Sequence, residues 1–129
     1  MVTAEFRTAL PGLAASAREA RTFVRSSLAE MGLDALADTA VLLVSELVAN
    51  VVLHASGDME VMVSPTASGV IVRVHDGLGE LRPTRKRYSE TATTGRGLML
   101  VDALAHRWGI DRDGAGKLVW FELERPTDG

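Results

Sequence analysis

The run Met59-Glu60-Val61-Met62-Val63-Ser64-Pro65-Thr66-Ala67-Ser68-Gly69-Val70-Ile71-Val72-Arg73-Val74-His75 places Met59, Val61 and Val63, then Val70, Val72 and Val74, at every second position. Arg73 and His75 fall between the later valines, and the pattern breaks at Pro65–Gly69. A period of two on both sides of a turn reads as a β-hairpin with one apolar face. A doubly wound parallel sheet needs a helical crossover between each strand pair, so a hairpin here argues for a mixed or largely antiparallel sheet.

Upstream the period changes. Ala14, Ala17, Ala20, Phe23, Val24, Leu28 and Met31 recur at three- and four-residue steps, with Arg18, Arg21, Arg25 and Glu30 largely between them. This predicts an amphipathic helix ended by Gly32. A second helical pattern runs from about Asp34 to Ala55 and stops at Ser56-Gly57. It is apolar enough to lie against a sheet, so Ser45, Glu46, Asn50 and His54 within it need explaining, because buried polar groups are costly unless paired. Residues 3–9 read as a short strand closed by Pro11-Gly12.

Downstream, residues 77–95 hold Gly77, Gly79, Pro83 and a Ser/Thr-rich end with no sustained period. Such a long loop in a small domain is usually functional. A third helix is expected from about Gly95-Arg96-Gly97 to His106, then strands at Arg107–Asp111 and Lys117–Glu124 joined by Asp113-Gly114-Ala115-Gly116. The order β-α-α-β-β-loop-α-β-β predicts an α/β or α+β two-layer sandwich, with helices covering one face of the sheet.

Composition narrows the function. The 129 residues suffice for one domain spanning 1–129, with 47% apolar and 24% charged residues. The absence of cysteine removes disulfides, thiolate metal sites and cysteine nucleophiles, and makes the cytoplasm the expected compartment. The N-terminus shows no export signal, and no stretch reads as the roughly 20 apolar residues of a membrane helix, so no membrane role is expected. With 14 basic and 17 acidic residues the formal net charge is −3, which speaks against direct nucleic-acid binding.

Three clusters have chemical potential. Glu46, Asn50 and His54 are four residues apart, so they line one edge of the second helix. A carboxylate there can deprotonate a hydroxyl, and an amide oxygen one turn away is a neutral hard ligand for Mg²⁺; a solvated helix edge is the plainer reading of the same spacing. His75-Asp76-Gly77-Leu78-Gly79 ends an apolar strand, where Asp76 can accept a hydrogen bond from an exocyclic amine, or simply begin a turn. Thr93-Thr94-Gly95-Arg96-Gly97-Leu98 precedes a helix, whose first N–H groups and dipole favour a phosphate, or it is a plain Thr/Gly cap. Gly114-Ala115-Gly116-Lys117 imitates the end of a P-loop, but Leu118 stands in place of the Ser or Thr and a strand pattern follows. The histidines at 54, 75 and 106 have no metal-ligand spacing.

In this order the segments resemble the nucleotide-binding boxes of the GHKL (histidine kinase-like) ATPase superfamily. They are most similar to its anti-sigma-factor serine/threonine kinase branch. The resemblance runs through Ala17-Arg18-Glu19-Ala20-Arg21-Thr22-Phe23-Val24-Arg25, Ser45-Glu46-Leu47-Val48-Ala49-Asn50 with His54-Ala55, Thr94-Gly95-Arg96-Gly97-Leu98 with Leu100-Val101 and Asp102, Trp108-Gly109, and Gly116-Lys117-Leu118-Val119-Trp120-Phe121-Glu122. It implies a Bergerat-type fold, a mixed and mostly antiparallel sheet with helices on one face. It also implies Glu46 as the catalytic carboxylate and Asn50 as the Mg²⁺ ligand. Asp76 would then accept the adenine amino group with Gly79 near the base. Thr94, Gly95, Arg96, Gly97 and Leu98 would lie at the phosphates, residues 80–94 would form a lid, and His54 would be structural or would stand behind the residues that touch the ligand. Two residues depart from the pattern. Leu78 stands where a glycine is frequent, and Leu118 replaces a threonine whose hydroxyl commonly supports the adenine site. One hydrogen bond fewer, about 1 kcal/mol, would weaken ATP binding several-fold.

The resemblance implies a Mg²⁺-ATP-dependent protein kinase that phosphorylates an antagonist protein and sequesters a sigma factor. The competing expectation is a nucleotide-sensing interaction module without phosphotransfer. Many relatives act as dimers, which implies a homodimer. The charge distribution adds to this reading: Arg82, Arg85, Lys86, Arg87 and Arg96 face only Glu90 within 82–96, a local +4 that leaves −7 on the rest of the chain.

Overall fold

The computed structural model describes residues 5–54, 57–78, 96–113 and 116–126. Strand β1 (Phe6–Leu10) leads to helix α1 (Ser16–Glu30), a 3₁₀ turn (Asp34–Leu36) and helix α2 (Ala37–His54). Strands β2 (Asp58–Pro65) and β3 (Gly69–Leu78) follow, then helix α3 (Arg96–Leu104) and strands β4 (Arg107–Asp113) and β5 (Gly116–Glu124). The element order is the expected one, with β1 displaced slightly toward Pro11.

The strands form one sheet in the order β1-β2-β3-β5-β4. All four pairings are antiparallel, the largely antiparallel end of the expectation. The hairpin register sets Val61 opposite Val74, and Val74 opposite Val119. This gathers Met59, Val61, Val63, Val70, Val72, Val74, Val119, Phe121 and Leu123 on one buried face. Ala20, Val24 and Leu28 from α1, Leu43, Val44, Leu47 and Val48 from α2, and Val101 from α3 close over that face as a single core. Gly32, at φ +73°, ends α1 in a conformation that L side chains rarely adopt.

The opposite face has the other alternate residues. The pairings align Arg7, Met62, Arg73, Trp120 and Gly109 in one row across it. Ion pairs Arg7–Glu5 at 2.9 Å, Arg73–Glu5 at 3.3 Å and Arg107–Glu122 at 2.9 Å lie on this side.

One expectation needs correction. The stretch Asp34–Leu53, with a mean hydropathy of 1.9, is long and apolar enough to cross a bilayer. Its apolarity has a local cause: α2 packs against α1, α3 and β3, so much of its circumference meets protein.

Candidate functional site

The polar interruptions of α2 lie where two turns of helix carry Ser45, Glu46 and Asn50, all half-buried. Ser45 is held from below, its hydroxyl donating to the Val41 carbonyl at 2.9 Å, while the Arg21 guanidinium of α1 lies 3.5 Å from its oxygen. Asn50 differs. Its Nδ2 is buried and has no hydrogen-bond partner among the described residues. Buried amide groups in folded proteins are nearly always paired, because an unmet donor costs about 1–3 kcal/mol. Such a donor, one turn from a carboxylate, is a position where an acceptor beyond the described residues would fit.

Strand β3 places Asp76 near its end, 3% exposed. Its Oδ1 accepts the main-chain N–H of Lys117 on β5 at 3.0 Å. Burial pushes the Asp76 carboxyl above the ordinary aspartate range. The nearby Lys117 charge opposes that most strongly, followed by the Lys117 N–H and the His75 and Arg112 charges. Gly77 follows at φ +79°, turning the chain where a side chain would be strained. Helix α3 begins at Arg96-Gly97 and buries Leu98, 5% exposed, while Asp102 on the same helix accepts the indole N–H of Trp108 at 2.9 Å. Helix α2, which carries Glu46 and Asn50, packs on both β3, which carries Asp76, and α3, which carries Leu98.

Gly79, Thr94, Gly95 and the proposed lid at 80–94 lie outside the described residues, as do the side chains of His54, Leu78 and Arg96. Among the described residues no cluster of three His, Cys, Asp or Glu side chains could cage a metal ion.

Leu118 does not take the position expected of it. It pairs with His75 and Asp111, and strand alternation turns it to the face away from the helices. A hydroxyl at 118 would not reach Asp76. The residue beside Asp76 is Lys117, 6% exposed, which the sequence reading missed. The available signal was alternation: 117 shares a face with Val119, Phe121 and Leu123.

A separate groove of about 440 Å³ runs between α1 and α2, lined by Arg18, Arg21, Thr22, Arg25, Ser26, Ala29 and Val41. Neither Asn50 nor Asp76 lines it. Arg25 is also 3.2 Å from Asp38 of α2.

Compared with known families, residues 10–123 match the histidine kinase-like ATPase domain. A search of curated proteins finds no match to the chain.

Proposed function

The chain belongs to the histidine kinase-like ATPase family, and on that basis we propose that it is an anti-sigma-factor serine/threonine kinase, acting in the cytoplasm. Domains of this family bind ATP, typically with Mg²⁺. The observation that carries the finer reading is the pairing of the Glu46 carboxylate with the buried amide of Asn50 one turn away, unpartnered among the described residues. Asn50 would hold Mg²⁺ through its amide oxygen, leaving its Nδ2 free to donate to the bound nucleotide, and the metal would supply neutralisation of the phosphate charge. Glu46 takes the proton of a partner's Ser or Thr hydroxyl. The hydroxyl oxygen bonds to the γ-phosphorus, the bond to the β-phosphate bridging oxygen breaks, and ADP leaves. Asp76 accepts the adenine amino group.

The three guanidiniums of the α1–α2 groove support a partner with an acidic docking segment, consistent with a protein substrate. The alternative, a nucleotide-sensing module without transfer, rested on Leu78 and Leu118. With Leu118 turned away from Asp76, half of its motive is gone.

The test is radiolabel transfer from ATP to a cognate antagonist. Transfer is expected with the wild-type chain and lost in Glu46→Ala, which still binds ATP. ATP binding without transfer to any cognate antagonist would overturn the kinase reading. Calorimetry of Mg²⁺-ATP with wild type and Asn50→Ala checks the site itself, and complete absence of binding by the wild type would remove both readings.

A further inference from the structure

Asp76 and Lys117 are register partners across β3 and β5, and both are buried, at 3% and 6% exposure. They share the inner face of the sheet with valines, Phe121 and Leu123. Two ionisable side chains buried in such company are costly unless they are paired and hydrogen-bonded. Their backbones are also held tightly together. The Lys117 N–H donates to Asp76 Oδ1 at 3.0 Å, and a Cβ at the preceding Gly116 would collide with the Asp76 carbonyl oxygen. The position of the Asp76 carboxylate is thus set from β5.

An ionised carboxylate only accepts hydrogen bonds, whereas a protonated one also donates. An acceptor pairs with the exocyclic amine of adenine and repels the 6-oxo group of hypoxanthine or guanine. A donor tolerates the oxo group. Which base the site admits therefore depends on what keeps Asp76 ionised. Burial works against ionisation, and the cationic groups that bear on Asp76 are Lys117 from β5, His75 beside it on β3 and Arg112 from β4, with Lys117 foremost. On α2, the helix packed against β3, the ionisable group of the site is Glu46.

We infer that Lys117 is a positioning residue for base selection: its main chain anchors Asp76 and its buried ammonium keeps that group a pure acceptor, so the site takes 6-aminopurine nucleotides and rejects 6-oxopurine ones. This rests on the ATP-binding reading above and adds to it a determinant that lies outside the helix-borne catalytic edge.

The test uses the full chain with ATP and inosine triphosphate, titrated by calorimetry from about pH 5 to about pH 9 in wild type, Lys117→Met, Lys117→Gln and Lys117→Arg. Wild type should prefer ATP throughout. In Lys117→Met the preference should fall about tenfold or more near neutrality and recover as the pH rises, while Lys117→Arg keeps it. Should the methionine variant not fold, the glutamine variant carries the same expectation. In the nucleotide-free protein, NMR of isotope-labelled aspartate carboxyls should show Asp76 titrating at higher pH once the ammonium is removed. An unchanged Asp76 titration and nucleotide ratio in a folded variant would overturn the inference. So would an equal loss of both nucleotides at every pH, which marks a purely structural lysine. A wild-type chain that binds neither nucleotide would instead defeat the ATP reading, with the NMR titration still deciding whether Lys117 governs Asp76.

Discussion

Burial raises the Asp76 carboxyl above its ordinary range, and this leaves a trace in stability. Its folded-state pKa is raised, so the folded protein holds the proton more tightly than the unfolded chain does. Stability contributed by that proton is present at low pH and is lost as pH rises through the window from the ordinary aspartate value to the raised one. Asp76→Asn cannot titrate, so its melting temperature relative to wild type should move in the variant's favour as the pH climbs through that window, while ATP binding is lost. Thermal melts over a pH series check the sign, and a flat difference would contradict the burial effect. Asn50 makes the parallel case for a neutral group. Because its Nδ2 is buried without a partner among the described residues, Asn50→Leu should cost little stability or raise the melting temperature by a few degrees, and should abolish Mg²⁺-ATP binding. A large destabilisation would mean that the amide is a structural link.

The β3–β5 ladder leaves no room at its far end. A Cβ on Gly69 would collide with the Leu123 carbonyl oxygen and come within 2.8 Å of the Glu124 Cα. Both are backbone atoms that cannot step aside as a flexible side chain would. Gly69→Ala should therefore cost about 2 kcal/mol or more in urea unfolding, against a few tenths for Ser68→Ala at the exposed neighbouring position. The periods of two and of three-to-four residues were enough to anticipate these elements, since each buries one face of a hairpin or helix. Glu46 and Asn50 stood out for the same reason, as polar residues in a helix otherwise suited to a core. What escaped the sequence was the register. The resemblance sets the lost adenine-supporting hydroxyl at Leu118, whereas the register pairs Asp76 with Lys117, and on a strand one residue is the whole difference between faces. The pairing of Asp76 with Lys117 spans 41 positions and is fixed by the sheet as a unit. The apolar run of α2 misled in another way, because its composition reflects burial between α1, α3 and the sheet.

Across the molecule, charge and layer are both lopsided. The local +4 within residues 82–96 opposes −7 elsewhere, and Arg18, Arg21 and Arg25 form a second cationic strip along the α1–α2 groove. Mg²⁺-ATP affinity should fall with added salt, and capture of an acidic partner should fall more steeply. Replacing Arg18 and Arg21 together by glutamate should abolish partner capture while leaving nucleotide binding within about twofold, since neither Asn50 nor Asp76 lines the groove. Loss of both would merge the two surfaces into one. The chain's two tryptophans divide between the sheet's two faces. Trp120 lies on the bare face, its ring 2.7 Å from where a Gly109 Cβ would stand, while Trp108 packs toward the core and is hydrogen-bonded to Asp102 of α3. They are built-in fluorophores with different jobs. A nucleotide settling at the start of α3 should perturb the emission of Trp108 and leave Trp120 as a steady internal reference. The optical response should survive Trp120→Phe and vanish in Trp108→Phe, giving the fold its own gauge of occupancy without any attached dye.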